Sequence, residues 1–206
     1  MMDMLQQSRD TADSAPRPSA AVSVALVYDS GPAVNRWFAG LVTELRGSGK
    51  SLAGLIQDDV PQPGRTRCDM VLHELATGRA MSISEDLGAG ATSCRLSTPR
   101  LLEAAQLVEA QLADAEIVFL NKFGKAEADG GGLRDLIAHC IESGKSLVIG
   151  VPSGNQQAWT DFCGEYFRTV AATPEPSQEA IAALAALLGQ PKTGRAKAGS
   201  EQLHVA

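Results

Sequence analysis

The stretches of this 206-residue chain best equipped to hold a phosphate are two Gly-Lys-Ser triplets, Gly49-Lys50-Ser51 and Gly144-Lys145-Ser146, and the pair Asn121-Lys122. A phosphate loop is a glycine, four residues and then Gly-Lys-Ser/Thr, set after a strand and before a helix so that backbone amides converge on the anion. At the first triplet Glu44 takes the outer glycine position, and its carboxylate repels phosphate. The order of elements is also inverted. Val34, Phe38, Leu41, Val42 and Leu45 recur at helical spacing before the triplet, and residues 51–57 read as a short buried strand after it. The second triplet repeats this arrangement between GLRDLIAHCIESG and SLVIGVP. Both triplets are therefore read as helix-to-strand turns. Gly47 or Gly49 would take the left-handed conformation that ends a helix, and Lys50 suits the negative end of its dipole. Asn121-Lys122 could open an Asn-Lys-x-Asp guanine motif, but Gly124 stands where the Asp that accepts the base's hydrogen bonds belongs.

The elements that must position these residues follow a strand-helix rhythm. AVSVALVYDSG reads as an apolar strand leading into a helix from about Pro32, and SLAGLIQD closes a first strand-helix-strand unit whose crossover implies parallel pairing. RCDMVLHELATGRAMSISED then alternates apolar and polar residues around Thr77-Gly78, the pattern of an antiparallel hairpin with a tight glycine turn. The rhythm resumes with STPRLLEAAQLVEAQLAD, a helix capped by Ser97 or Thr98 with Pro99 in its first turn. AEIVFLNKFGK, GLRDLIAHCIESG and SLVIGVP follow as strand, helix and strand. NQQAWTDFCG reads as a short helix, EYFRTVA as an edge strand and SQEAIAALAALLG as the last helix. The sum is a three-layer α/β domain with a mostly parallel sheet and an inserted antiparallel β-hairpin. Ligands in such folds sit at the carboxyl ends of the strands. Those ends are Asp29-Ser30-Gly31, Gln57-Asp58-Asp59, Asn121-Lys122-Phe123-Gly124 and Pro152-Ser153-Gly154.

Composition narrows the function classes. Residues 1–20 and 190–206 are polar and rich in small residues, so both are expected to be disordered, with a single domain over 21–189. The first twenty residues hold no apolar core like that of a signal peptide, and no apolar run approaches the roughly 18 residues of a membrane span. A cytoplasmic protein without membrane insertion is expected. Eighteen basic and twenty-four acidic residues give a formal charge of −6 with no basic stripe in the body, which argues against nucleic acid as a partner. Cys68, Cys94, Cys140 and Cys163 form no C-x-x-C pair and read as reduced thiols that mostly pack.

The order of segments, with GLIQ, ELATGRAMSIS, SCRLSTPRLLEAA and above all FLNKFGKAEADGGGLRD, resembles an uncharacterised bacterial family related to the small thermophile-type P-loop nucleoside triphosphatases. The resemblance covers roughly residues 22–152. It implies a P-loop-NTPase type of fold and, since the family is commonly described beside molybdate-transport genes, a molybdate context. The active triphosphatases carry a glycine-rich Walker loop after the first strand and an acidic pair after a later one. This chain departs at both places. Laid on residues 30–37, the loop pattern puts Ser30 and Asn35 where glycines belong, Arg36 at the lysine and Trp37 at the magnesium-binding hydroxyl. One residue earlier it meets Asp29, Val34, Asn35 and Arg36. Asn121-Lys122 takes the place of the acidic pair, so a carboxylate that would help hold magnesium is missing.

Other constellations have plainer readings. Cys68, His73 and Cys94 could bind a soft metal if they converge, but a Cys and a His five apart on an alternating strand face opposite sides. Asp29, Asp58, Asp59, Glu85 and Asp86 could furnish a catalytic carboxylate pair, or cap helices and face solvent. Trp37 and Trp159 read as packing anchors, His139 as surface and Cys140 as core. Lys125 either meets an anion or pairs with Glu127 or Asp129 on a solvated loop. The expectation is a degenerate nucleotide-hydrolase-like domain that binds a nucleotide or small oxyanion without hydrolysing it. Its cofactors are unassigned and no metal is implied. The binding residues would be Asp29, Ser30, Gly31, Asn35, Arg36, Asn121, Lys122 and Lys125, with Arg36 as anion contact or as partner of a surface acid. The alternatives are a phosphohydrolase with a rebuilt site and a protein-interaction module.

Overall fold

A computed structural model describes residues 21–63, 68–85 and 96–190. The expectations for residues 1–20 and for the tail from 191 onward, and those for Asp86 and Cys94, lie outside the described residues. Seven strands form one sheet: β1 (Val24–Tyr28), β2 (Leu52–Val60), β3 (Asp69–Glu74), β4 (Ala80–Ser82), β5 (Ile117–Asn121), β6 (Ser146–Pro152) and β7 (Arg168–Ala171). Their spatial order is β4-β3-β2-β5-β6-β1-β7. All pairings from β2 to β7 along this order are parallel, whereas β3 and β4 add as an antiparallel extension. The helices are α1 (Gly31–Gly47), α2 (Thr98–Gln111), α3 (Lys125–Ala128), α4 (Arg134–Glu142), α5 (Gln156–Cys163) and α6 (Gln178–Leu188).

The fold is a three-layer α/β domain, consistent with a P-loop-NTPase type. On one face α1 and α6 pack through Val34, Phe38, Leu41, Ile181 and Leu184 against Leu26, Phe119 and Val148. On the other, α2, α4 and α5 pack through Leu101, Val108, Ile137 and Trp159 against Ala25, Val118 and Ile149. Strands buried from both sides read as continuous apolar runs, which is why VALVY, IVFLN and SLVIGVP carry so few polar residues. Trp37 and Trp159 are both anchors, with 1% and 2% of their surface exposed.

Two sequence expectations need correction. The unit β1-α1-β2 does run parallel, but β1 and β2 are not neighbours, because β5 and β6 enter between them. A crossover helix fixes direction; later strands with apolar faces on both sides fill the gap it leaves. The inserted antiparallel hairpin is present as expected, and β3 pairs with β2 over Leu55 to Val60, which lengthens the sheet. Finally, Asp58 and Asp59 do not follow a strand end. They belong to β2, which continues past its last pairing with β5 at Leu55–Leu120 in order to pair with β3.

The hairpin turn has Gly78 at φ 75°, as tight glycine turns require. Gly49 and Gly144, at φ 74° and 63°, take left-handed conformations just beyond α1 and α4. The two lysines that follow them serve the helix-to-strand turns. Lys50 Nζ donates to Glu116 Oε1 at 2.9 Å, and that hydrogen bond is the main reason the Glu116 carboxyl lies below its usual range. Lys145 Nζ donates to the carbonyls of Ala113 and Ala115. Both lie at the amino ends of the parallel strands. Lys50→Ala and Lys145→Ala should therefore leave any nucleotide affinity measured by calorimetry unchanged, and a tenfold loss from either would contradict this placement.

Candidate functional site

The parallel strands end on one crest, where the chain turns from β1 into α1. Ser30 sits at the N-cap position of α1 with extended backbone, its carbonyl accepts from Ala33 N–H at 3.1 Å, and its hydroxyl caps nothing. Pro32 brings no amide. The helix therefore begins with a small, uncapped turn, Asp29-Ser30-Gly31, in which Asp29 and Ser30 are exposed and Gly31 half-buried. Unpaired amides and the helix dipole favour negative charge at such a point.

Asn121, the last residue of β5, comes up beneath this helix. Its Nδ2 donates to Asn35 Oδ1 at 3.2 Å, and the bond ties β5 to the second turn of α1. Asn121 is 5% exposed, and its Oδ1 is buried without a hydrogen-bond partner among the described residues. Gly150 on β6 makes room for it: a Cβ there would stand 3.2 Å from Asn121 Oδ1 and from Val34, and 3.3 Å from Phe38. Gly150→Ala should press apart β6, Asn121 and α1, lowering stability by about 1–3 kcal/mol, the usual effect of an overpacked core. Chemical denaturation measures this, and unchanged stability would mean the crest is looser than described.

Lys122 lies half-buried over Gly124, and among the described residues it makes no ion pair. Lys125 is exposed at the start of α3. Arg36 turns the other way. Its guanidinium donates to Pro174 O at 3.0 Å and pairs with Glu175 at 3.4 Å, on the β7 side of α1, whereas Asn35 faces the β5 side. The surface-acid reading of Arg36 thus has a specific partner, Glu175. Trp37, at the position of a magnesium-binding hydroxyl, is buried and donates Nε1–H to Thr173 O at 3.1 Å.

The overhang of β2 adds acid to the crest. Asp59 Oδ1 accepts from Gln57 Nε2 at 2.9 Å, and Asp59 Oδ2 lies 3.9 Å from where a Cβ on Gly31 would stand. Burial, and secondly the Asp59 carboxylate, push the Tyr28 phenol well above its ordinary value. Asp58 faces His73 Nε2 at 3.1 Å, an exposed pair one strand further out. His73 is thus engaged with a carboxylate, and Cys68 is exposed nearby in sequence.

Sequence reading missed one organising residue. Glu127 was expected as a surface partner for Lys125, yet it is 4% exposed and its carboxylate accepts the amides of Gly124 at 2.8 Å and Leu133 at 2.9 Å. Gly132, at φ 60°, is close enough that a Cβ there would overlap the Glu127 carboxylate. The run Gly130-Gly131-Gly132 is the signal that could have found it, since chain that wraps a buried carboxylate needs residues without side chains. Asn155 Nδ2 ties the β6–α5 connection to this loop through Phe123 O at 3.2 Å. Beneath, Phe123, Trp159, Phe162 and Phe167 form an aromatic cluster, with the Arg134 guanidinium 4.2 Å over Phe162. The structure therefore places Asp29, Ser30, Gly31 and Asn35 at the start of α1 with Asn121 bonded to Asn35, sets Lys122 over Gly124 and Lys125 exposed in the stretch after β5, and directs Arg36 to Glu175.

Comparison with known proteins gives a family and one relative. The molybdenum import ATP-binding protein ModC 2 of Bradyrhizobium diazoefficiens is 32% identical over 141 residues, 68% of this chain and 16% of that protein. The chain thus spans less than a fifth of the relative's length. No solved structure matches the chain. The family model described as "Protein of unknown function (DUF2478)" matches residues 23–179, most of the chain. With that coverage, the protein belongs to the DUF2478 family.

Proposed function

We propose that this protein is a P-loop-NTPase-like module that binds a nucleotide or small oxyanion at the β1–α1 crest without hydrolysing it, in a regulatory role linked to molybdate uptake. The observation that carries this reading is the uncapped start of α1, with Asn35 in its second turn bonded to Asn121 at the end of β5, the residue before Lys122, which makes no ion pair among the described residues. Several features support the absence of hydrolysis. No glycine cradle follows β1, Trp37 is engaged in the core, Arg36 is held by Glu175, and Asn121 offers a neutral amide where a carboxylate would hold magnesium. The molybdate link is supported by the name of the relative, whose matched stretch is a minor part of a much longer protein. A cytoplasmic location follows from such a role; among the described residues no helix is long and apolar enough to cross a membrane.

Calorimetry with ATP, GTP, inorganic phosphate and molybdate tests the site. Lys122→Ala is expected to weaken whichever of these binds by about 1–3 kcal/mol, the range of a charge-assisted contact. Arg36→Ala should weaken it far less, because its guanidinium is committed to an exposed ion pair worth little. If Lys122→Ala folds and binds as the parent does, the crest is not the site. A second reading, a phosphohydrolase with a rebuilt site, is favoured by one observation: Asp59 Oδ2 lies 3.9 Å from the Cβ position of Gly31, so a carboxylate reaches the turn that also carries Asp29. Phosphate release that requires magnesium and is lost in Asp59→Asn would select it.

A further inference from the structure

We draw no further inference here: the strongest candidate, the outer face of the antiparallel extension, where Val60 and Val71 lie on the same side of β2 and β3 as the Asp58–His73 pair, is an apolar patch for which nothing in the structure shows what covers it.

Discussion

Gly54→Ala should cost the domain about 4 kcal/mol or more, the upper end of what single substitutions do. Gly54 lies inside β2 at φ 129°, a conformation that side-chain-bearing residues rarely adopt. A Cβ there would overlap the carbonyl oxygen of Phe119 and lie 2.6 Å and 2.7 Å from Phe119 N and C. These are backbone atoms of the neighbouring strand, so no side chain can rotate away. The register Gly54–Phe119 would have to open, and with it the contact between the antiparallel extension and the parallel core. At about 2–4 °C per kcal/mol for a chain of this size, the thermal midpoint should fall by roughly 8 °C or more. A variant that unfolds within about 1 kcal/mol of the parent in denaturant would show that β2 and β5 are not paired in this register.

Glu127→Ala should be the most damaging change near the crest that leaves every strand intact. The carboxylate is the acceptor for two buried amides, those of Gly124 and Leu133, and so closes the loop that follows β5. Removing it strands both donors, for a loss of about 2–4 kcal/mol. Glu127→Gln separates charge from shape: one of its two terminal atoms can still accept, the other would face an N–H with an N–H, and an intermediate loss is expected. Hydrogen exchange reads the effect directly, with the amides of Gly124 and Leu133 losing protection in both variants. Glu127→Gln with parental stability and unchanged protection of those two amides would show that the carboxylate does not organise the loop. Because Lys122 lies over Gly124, anion affinity should fall together with the protection.

The sequence is most legible where structure is local. The 3.6-residue spacing of Val34, Phe38, Leu41 and Leu45 predicts α1, and the glycines before Lys50 and Lys145 predict helix endings that φ angles of 74° and 63° bear out. The alternation around Thr77-Gly78 predicts the β3–β4 hairpin, found with Gly78 in its turn. What escapes is fixed by contacts across long stretches of chain. Nothing near Asn121 in sequence says that its amide meets Asn35, 86 positions earlier, and nothing near Arg36 points to Glu175. The reach of Asp59 over Gly31 depends on β2 running past β5 to pair with β3, so the acid at the crest follows from strand register, which composition does not encode. Glu127 is the instructive failure. A Glu between Lys125 and Asp129 carries the composition of a solvated loop, and only the backbone amides it accepts explain its burial.

Phosphate release from ATP and GTP in the presence of magnesium, measured on the same purified chain whose thermal unfolding is followed with each nucleotide, tests the central claim most directly. Ligands that bind only the folded state raise the midpoint, by about 2.7 kcal/mol of stabilisation at a hundredfold excess over Kd. The account predicts a raised midpoint with at least one nucleotide or with inorganic phosphate, its reduction in Lys122→Ala but not in Lys50→Ala, and no phosphate release above the protein-free control. Magnesium-dependent turnover abolished by Asp59→Asn, or a midpoint that no nucleotide or oxyanion moves, would contradict it.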